Sequence, residues 1–136
     1  MNKRQITPEV MMAKAETACS SARVLLERGD ADGAANRAYY AMFDATRAAL
    51  LASGAPVDPN AVRTHRGLIR LFGEFLVKDG PISKDMWRFL NEAFEIRLTA
   101  DYDGQFVEPV DAQKVVDQAE AFIAALRAEF MPDNRG

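Results

Sequence analysis

The chain has 136 residues, of which 49% are hydrophobic and 27% charged, proportions that exclude a largely disordered or collagen-like protein. Its formal net charge of -3 gives no overall attraction for nucleic acid or anionic lipid, so any such binding must be local. Cys19 is the only cysteine, which excludes an internal disulfide and a cysteine-based metal cage.

Membrane insertion is not expected either. No apolar run approaches the ~20 residues that cross a bilayer, and the N-terminus "MNKRQITPEV" lacks the apolar core of a signal peptide. We therefore expect a cytoplasmic protein that makes no membrane contact.

The first predicted helix has a clear start and a clear end. Thr7 can act as N-cap, Pro8 suits the first helical position, and Gly29 stands where a left-handed C-cap is wanted. The pattern predicts a helix from about Pro8 to Arg28.

A second helix follows, capped by Asp30 or Asp32 and stopped at Gly54. The next stretch, "APVDPN", contains two prolines and predicts a loop. Five alanines of this helix fall on one stripe, which predicts a close helix-helix contact; they are Ala34, Ala38, Ala41, Ala45 and Ala49.

A third helix is predicted to begin near Asp58 and Pro59 and to end before "DGP", with Gly80 as C-cap. Ser83 can cap a fourth helix, which should fray near Asp101. Pro109 is placed as the first residue of a fifth helix that reaches about Phe130, and "MPDNRG" is a tail.

These elements predict an all-α protein, since no window shows a convincing period-2 alternation of apolar residues. We expect one domain over residues 1–136, folded as a single up-and-down bundle of about five helices with its core in residues 8–130.

Two helices carry polar residues that could contact a ligand. In the second helix, Arg37 and Tyr40 lie one turn apart beside Gly33 and Asp44; the arginine either binds a ligand or is satisfied by a neighbouring carboxylate. In the third, His65 shares a face with apolar residues, which favours a core histidine bonded to a backbone or carboxylate group over a metal ligand.

The third helix also carries a basic stripe, formed by Arg63, Arg66 and Arg70. Such a stripe is either a solvated helix face or a surface for a phosphate backbone.

The end of the fourth helix concentrates ionisable groups. Arg97 and Asp101 are four residues apart and can form an ion pair, with Tyr102 next to them. An exposed Arg-Asp pair alone does not indicate a site, but a cluster of ionisable groups is more common in a cleft than on a plain helix face. The other charged members are Glu92, Glu95 and Asp103.

Three segments, "NRAYYAMFDATRAALLASG", "THRGLIRLFGEFLVKDGPIS" and "RLTADY", resemble the HEPN domain family over about residues 8–130. The resemblance implies a helical bundle that commonly pairs as a homodimer, in toxin-antitoxin and defence systems. Many members are metal-independent ribonucleases in which an arginine is followed a few residues later by a histidine.

Arg97 matches that arginine, whereas Asp101 stands in place of the histidine and no histidine follows Arg97. A carboxylate is a weak base at neutral pH and repels phosphate. The "RLTADY" segment resembles a branch related to the C-terminal part of sacsin, for which nucleotide binding has been suggested. Family members often accompany a nucleotidyltransferase, which another gene would encode here.

The leading hypothesis is a helical module that dimerises and binds a nucleotide, RNA or protein partner, as part of a toxin-antitoxin or defence system. One alternative is a metal-independent ribonuclease whose catalytic residues are Arg97 with Asp101 or Tyr102 in place of the histidine, in an accessible groove. The other is a purely structural oligomerisation domain in which the arginine is sealed and fully hydrogen-bonded. None of them calls for a metal or cofactor.

Ligand contacts are predicted for Arg37, Tyr40 and His65. The first two should approach Arg97, Asp101 and Tyr102, because paired arginines need a carboxylate nearby. A homodimer is expected because a bundle of this size would leave apolar surface exposed; the candidate exposed aromatics are Phe43, Trp87 and Phe94.

Overall fold

Helix caps written into the sequence set the first two helices of the computed structural model, which describes residues 7–58, 60–102 and 105–132. Helix α1 spans Pro8–Glu27 and α2 spans Ala31–Ser53. The Thr7 hydroxyl accepts a hydrogen bond from the Val10 N–H at 3.1 Å, and Gly29 adopts the left-handed conformation with φ of 88°. The predicted α1 boundaries are confirmed.

Asp30, and not Asp32, caps α2. Its Oδ1 accepts a hydrogen bond from the Gly33 N–H at 2.8 Å, while Asp32 Oδ1 accepts one from the Val107 N–H at 2.7 Å. Asp32 therefore ties the start of α2 to the loop that precedes the last helix. At the other end of α2, Gly54 is left-handed with φ of 73°, as predicted.

The predicted third helix is wrong at its start, because it does not begin near Asp58. A short 3-10 turn at Ala61–Arg63 comes first, and α3 covers His65–Leu71. Thr64 has extended backbone, and its Oγ1 accepts a hydrogen bond from the Gly67 N–H at 3.0 Å. Thr64 is thus the N-cap that the sequence analysis missed, and Pro59 lies outside the described residues.

A π-helix at Phe72–Lys78 continues α3. The predicted C-cap at Gly80 is wrong by one residue, since Asp79 holds the C-cap position and Gly29 and Gly54 are the glycines with positive φ in the described part of the chain. Gly80 serves another purpose. A Cβ added there would lie 2.6 Å from the carbonyl oxygens of Phe75 and Leu76, so the backbone can approach the end of the π-helix this closely only without a side chain.

Helices α4, Lys84–Asp101, and α5, Pro109–Phe130, complete the fold. Ser83 takes the N-cap position of α4, but its hydroxyl accepts no capping hydrogen bond. The predicted ends of α4 and α5 are confirmed. Residues 103–104 and 133–136, which include Asp103 and most of the predicted tail, lie outside the described residues.

Helix α2 lies at the centre and packs against α1, α4 and α5. All five alanines of its predicted stripe are fully buried, which lets the neighbouring backbones come close. The described residues contain five α-helices and no strand, so the all-α bundle is confirmed. Among those helices, none is long and apolar enough to cross a membrane.

The predicted set of exposed aromatics is partly wrong. Trp87 is 41% exposed, but Phe43 and Phe94 are buried because both rings pack against the imidazole of His65. The large apolar side chains that face solvent include instead Phe106 and Val110, which are 82% and 74% exposed.

Candidate functional site

Arg97, near the end of α4, joins side chains from three helices. Its Nη2 forms an ion pair with Asp101 Oδ2 at 2.8 Å. Its Nη1 donates a hydrogen bond to the Tyr40 hydroxyl at 3.4 Å and lies 3.2 Å from His65 Nε2. We call Tyr39, Tyr40, His65, Arg97 and Asp101 the Arg97 cluster. Its arginine side chain is 12% exposed and its aspartate 39%, so the carboxylate forms the accessible edge.

Aromatic rings enclose the buried side of this cluster. The imidazole of His65 has four ring neighbours, with centroids 5.2 to 6.0 Å away; they belong to Tyr39, Tyr40, Phe43 and Phe94. The guanidinium carbon of Arg97 lies 5.5 to 5.9 Å from three of these rings. A cation at this distance from an aromatic face is attracted by the ring quadrupole, so the rings help to hold the charge out of water.

The hydrogen bonds of His65 define its tautomer. A guanidinium only donates hydrogen bonds, so His65 Nε2 must accept from Arg97 and carry no proton. In the neutral ring the proton is then on Nδ1, which lies 2.7 Å from the Tyr39 hydroxyl oxygen and donates to it. The predicted backbone or carboxylate partner of His65 is therefore wrong, since the partners are a phenol and a guanidinium.

The electrostatics agree with a neutral histidine. Burial lowers the pKa of His65 below its ordinary value, the Arg97 charge lowers it further, and Asp101 partly opposes them. Protonation would also place a second N–H opposite the guanidinium, which cannot accept it. Burial raises the pKa of the Tyr39 phenol, although the nearby Arg97 lowers it, so that phenol stays protonated as well.

The cluster is almost closed, but not completely. Arg97 Nε is buried and has no hydrogen-bond partner among the described residues. Leaving a buried donor unpaired is costly. The arginine is thus neither in an open groove, as the ribonuclease hypothesis expects, nor fully hydrogen-bonded, as the structural hypothesis expects.

Arg37 does not join the Arg97 cluster. It lines a separate groove between α1 and α2 together with Lys14, Tyr40 and Asp44. Asp101 pairs with Arg97 and, among the described residues, forms no ion pair with Arg37, so the approach of Arg37 to Asp101 stays a prediction. Tyr40 belongs to both places, since it lines this groove and its hydroxyl accepts a hydrogen bond from Arg97.

Asp44 is the carboxylate of this second groove. Burial raises its pKa, while Arg47, Lys14 and Arg37 lower it. The positive charges of the groove are therefore partly compensated from within, which matches the alternative in which Arg37 has a carboxylate nearby.

The remaining predicted polar residues lie outside the cluster. Tyr102 follows α4 and is 68% exposed, and its hydroxyl forms no hydrogen bond with another described residue. Arg63, Arg66 and Arg70 are all exposed, and Arg70 pairs with Glu74 at 3.5 Å. Within the described ranges, no group of three or more metal-ligating side chains is close enough together to hold an ion.

Sequence reasoning missed the contact between His65 and Arg97, and it missed Tyr39 altogether. The sequence carries only a weak signal for these contacts. Both tyrosines of the "YY" pair in α2 belong to the cluster, since the Tyr39 hydroxyl is hydrogen-bonded to Nδ1 of the imidazole and the Tyr40 hydroxyl to the guanidinium. Nothing in the spacing of residues 39, 65 and 97 shows that three helices meet there.

Comparison with known proteins agrees with this architecture. A sequence model of the HEPN domain matches residues 8–129. The chain is 33% identical over 129 residues to a UPF0332 protein of Thermotoga maritima, covering 93% of this chain and 92% of that protein. It is 29% identical over 119 residues to "Putative toxin MJ0605" of Methanocaldococcus jannaschii, covering 88% of this chain and 85% of that one.

Proposed function

The chain belongs to the HEPN family, and we propose that it serves in a toxin-antitoxin module as a dimeric protein that binds RNA at the Arg97 cluster without cleaving it. Its similarity to two archaeal proteins whose names include the word toxin supports the module. The hydrogen-bond arrangement around Arg97 supports binding in place of cleavage.

The observation that carries the proposal is the position of His65. Cleavage of RNA needs a base that can take a proton from a ribose hydroxyl. The lone pair of the neutral imidazole points instead to Arg97 Nη1, 3.2 Å away. The other candidate base is the carboxylate of Asp101, which is already paired with the same guanidinium.

RNA binding would use Arg97 at its Asp101 side. An RNA phosphate can form paired hydrogen bonds with a guanidinium, but here it must compete with the carboxylate of Asp101. Removing that carboxylate's charge should therefore strengthen RNA binding, whereas it should abolish any cleavage in which Asp101 acts as base.

The experiment measures both activities on a single-stranded RNA oligonucleotide in metal-free buffer. We expect no cleavage by the unmodified protein, weaker RNA binding by Arg97→Ala, and binding about two- to fivefold tighter by Asp101→Asn, as the loss of an exposed ion-pair partner allows. Glu95→Gln is the matched control, because it removes one negative charge from the exposed face of the same helix. Binding that Arg97→Ala leaves unchanged would refute the proposal.

A ribonuclease remains the second candidate, because a neutral imidazole and two tyrosines do lie beside Arg97. Robust cleavage by the unmodified chain that is lost in Arg97→Ala and Asp101→Asn would establish it. If the chain is inactive, we expect Asp101→His to restore some cleavage by supplying the family's base, and Arg97→Ala to remove it again.

Dimerisation is proposed from the apolar surface near the same edge. Tyr102, Phe106 and Val110 are all more than two-thirds exposed, and exposed apolar groups concentrated in one stretch of chain are typical of protein interfaces. Pairing of two copies through this stretch would bring their Arg97 clusters together. Light scattering at tens of micromolar tests it, and a monomeric mass would contradict it.

A further inference from the structure

We propose that the groove between the π-helix and the start of α4 binds a short amphipathic helix of a partner protein, with an apolar stripe and acidic side chains at one end. The groove is separate from the Arg97 cluster, and the proposal does not depend on RNA binding there. Its volume is about 1130 Å³, above the usual range for small-molecule sites. We call it the Trp87 groove, and its lining includes Arg70, Glu74, Val77, Lys78, Ile82, Lys84, Asp85, Trp87 and Arg88.

The two walls of the Trp87 groove are helical segments that run antiparallel. Gly73 and Trp87 are equidistant along the chain from Gly80, and they lie side by side, since a Cβ on Gly73 would be 2.8 Å from the indole nitrogen. Along its length, α4 packs against both α3 and the π-helix. A groove between two antiparallel helices has the shape that receives a third helix, as in the helix-in-groove mode of peptide recognition.

The apolar part of the groove is centred on its tryptophan. Trp87 is 41% exposed, Val77 is partly buried on the opposite wall, and Ile82 lies at the turn that joins the two walls. An accessible tryptophan beside aliphatic side chains is the kind of residue that contributes most of the binding energy in protein interfaces. We therefore expect the partner helix to place an apolar side chain against this ring.

Most charges of the groove are compensated within their own wall. Arg70 pairs with Glu74 at 3.5 Å on the first wall, and Arg88 pairs with Asp85 at 3.1 Å on the second. These four side chains therefore leave little net charge for a partner to neutralise.

The two lysines of the groove carry its uncompensated charge. Lys78 and Lys84 are exposed, and in the described part of the chain neither takes part in a salt bridge. Both flank the turn between the walls, so the positive charge is concentrated at one end of the groove. Charges at an interface are typically complementary, and a compact anion bound at this end would leave the apolar surface near Trp87 uncovered. A helix with carboxylates at one end and an apolar stripe along its length satisfies both parts.

Peptide display on the whole chain tests the chemistry of the occupant. A library of peptides of about 15 residues, long enough to form an isolated helix, is made without tryptophan and selected against the unmodified protein. We expect enriched sequences to share apolar residues at i, i+3, i+4 and i+7, with Asp or Glu near one end. Because Trp87 is the only tryptophan, synthetic copies of these peptides should change its fluorescence, and their affinity should fall as salt rises.

Variants of the groove separate the apolar contact from the charged ones. In calorimetry, Trp87→Ala should weaken binding of a selected peptide about tenfold or more, while Trp87→Phe should retain part of the affinity. Lys78→Ala and Lys84→Ala should each weaken it about two- to fivefold. Lys114→Ala is the matched control, since it removes an exposed lysine of α5 that lies outside the groove.

A charge exchange provides a gain of binding that a merely misfolded variant would not show. Lys84→Glu should bind the selected peptide more weakly than the unmodified protein does. It should bind a copy of that peptide whose acidic residues are replaced by lysine more tightly than the original peptide.

Four results would overturn the proposal: no enriched peptide, enriched peptides that are neutral or basic, binding that the Trp87 and lysine variants leave unchanged, or a mass in light scattering that falls in Trp87→Ala. The last result would identify a second copy of this chain as the occupant. Arg97→Ala should leave peptide affinity unchanged, so failure of this proposal does not carry over to the RNA site.

Discussion

Replacing Tyr39 by phenylalanine removes one oxygen atom from the middle of the protein and leaves the ring in place. That oxygen lies 2.7 Å from His65 Nδ1, and the tyrosine is fully buried. Because Nε2 must accept from Arg97, the proton stays on Nδ1 in the variant and loses its acceptor. A buried donor left unpaired costs about 1–3 kcal/mol, so we expect the free energy of unfolding to fall by about 2 kcal/mol.

Tyr40→Phe is the control for this prediction, since it makes the same chemical change at the adjacent residue. Tyr40 is only partly buried, and its hydrogen bond from Arg97 is long, at 3.4 Å. Arg97 also keeps its other partners in that variant. We expect a loss of about 0.5 kcal/mol or less, near the lower end for a hydrogen bond.

Urea denaturation at pH 7.5, followed by far-ultraviolet circular dichroism, measures both variants. The slope of the free energy against urea should be unchanged, so the difference appears in the midpoint. An equal loss in both variants, or no loss in Tyr39→Phe, would refute the assigned tautomer and the hydrogen bond that depends on it.

Three further predictions follow from the shifted pKa values. His65, the only histidine, should show by nitrogen NMR a proton on Nδ1 and a pKa below its ordinary value. That pKa should rise in Arg97→Gln and fall further in Asp101→Asn. Because the pKa is lowered in the folded protein, the contribution of His65 to stability is complete above about pH 6.5 and declines as the pH falls below that value. Asp44→Asn should stabilise the protein at pH 7 in urea denaturation, and the gain should shrink as pH falls toward the raised pKa of the carboxyl, since protonation removes the same buried charge. Burial raises the pKa of Cys19 to about 11, so it should react with a thiol reagent at pH 8 far more slowly in the folded protein than in urea.

Local signals explain how much of the fold could be predicted from the sequence. Thr7, Gly29, Asp30 and Gly54 act through contacts with residues at most a few positions away, so their roles are readable from the neighbouring letters. The start of the third helix was predicted wrongly because such local signals are missing there. A π-helix and an α-helix share composition, and Thr64 is followed by no acidic residue that would have indicated a cap.

The candidate site was only partly readable. The pair of Arg97 and Asp101 is local to one helix and was predicted, and the approach of Tyr40 to Arg97 was predicted from the need of paired arginines for a nearby carboxylate. The position of His65 against Arg97 depends on how α3 crosses α2 and α4, which spacing along the chain does not encode. Arg37 lies one turn from Tyr40 and lines the groove beside α1, a placement that spacing along the chain does not encode either.

The alanine stripe of α2 has an evolutionary consequence. All five of its alanines are fully buried between close backbones, and adding methylene groups to a well-packed core typically costs about 1–3 kcal/mol. Single-base changes in an alanine codon mostly yield larger or polar side chains, glycine or proline. Nearly every one-step change at these five sites therefore lowers stability, so drift should be slowest along this stripe and accommodating changes should require paired substitutions in the facing helix.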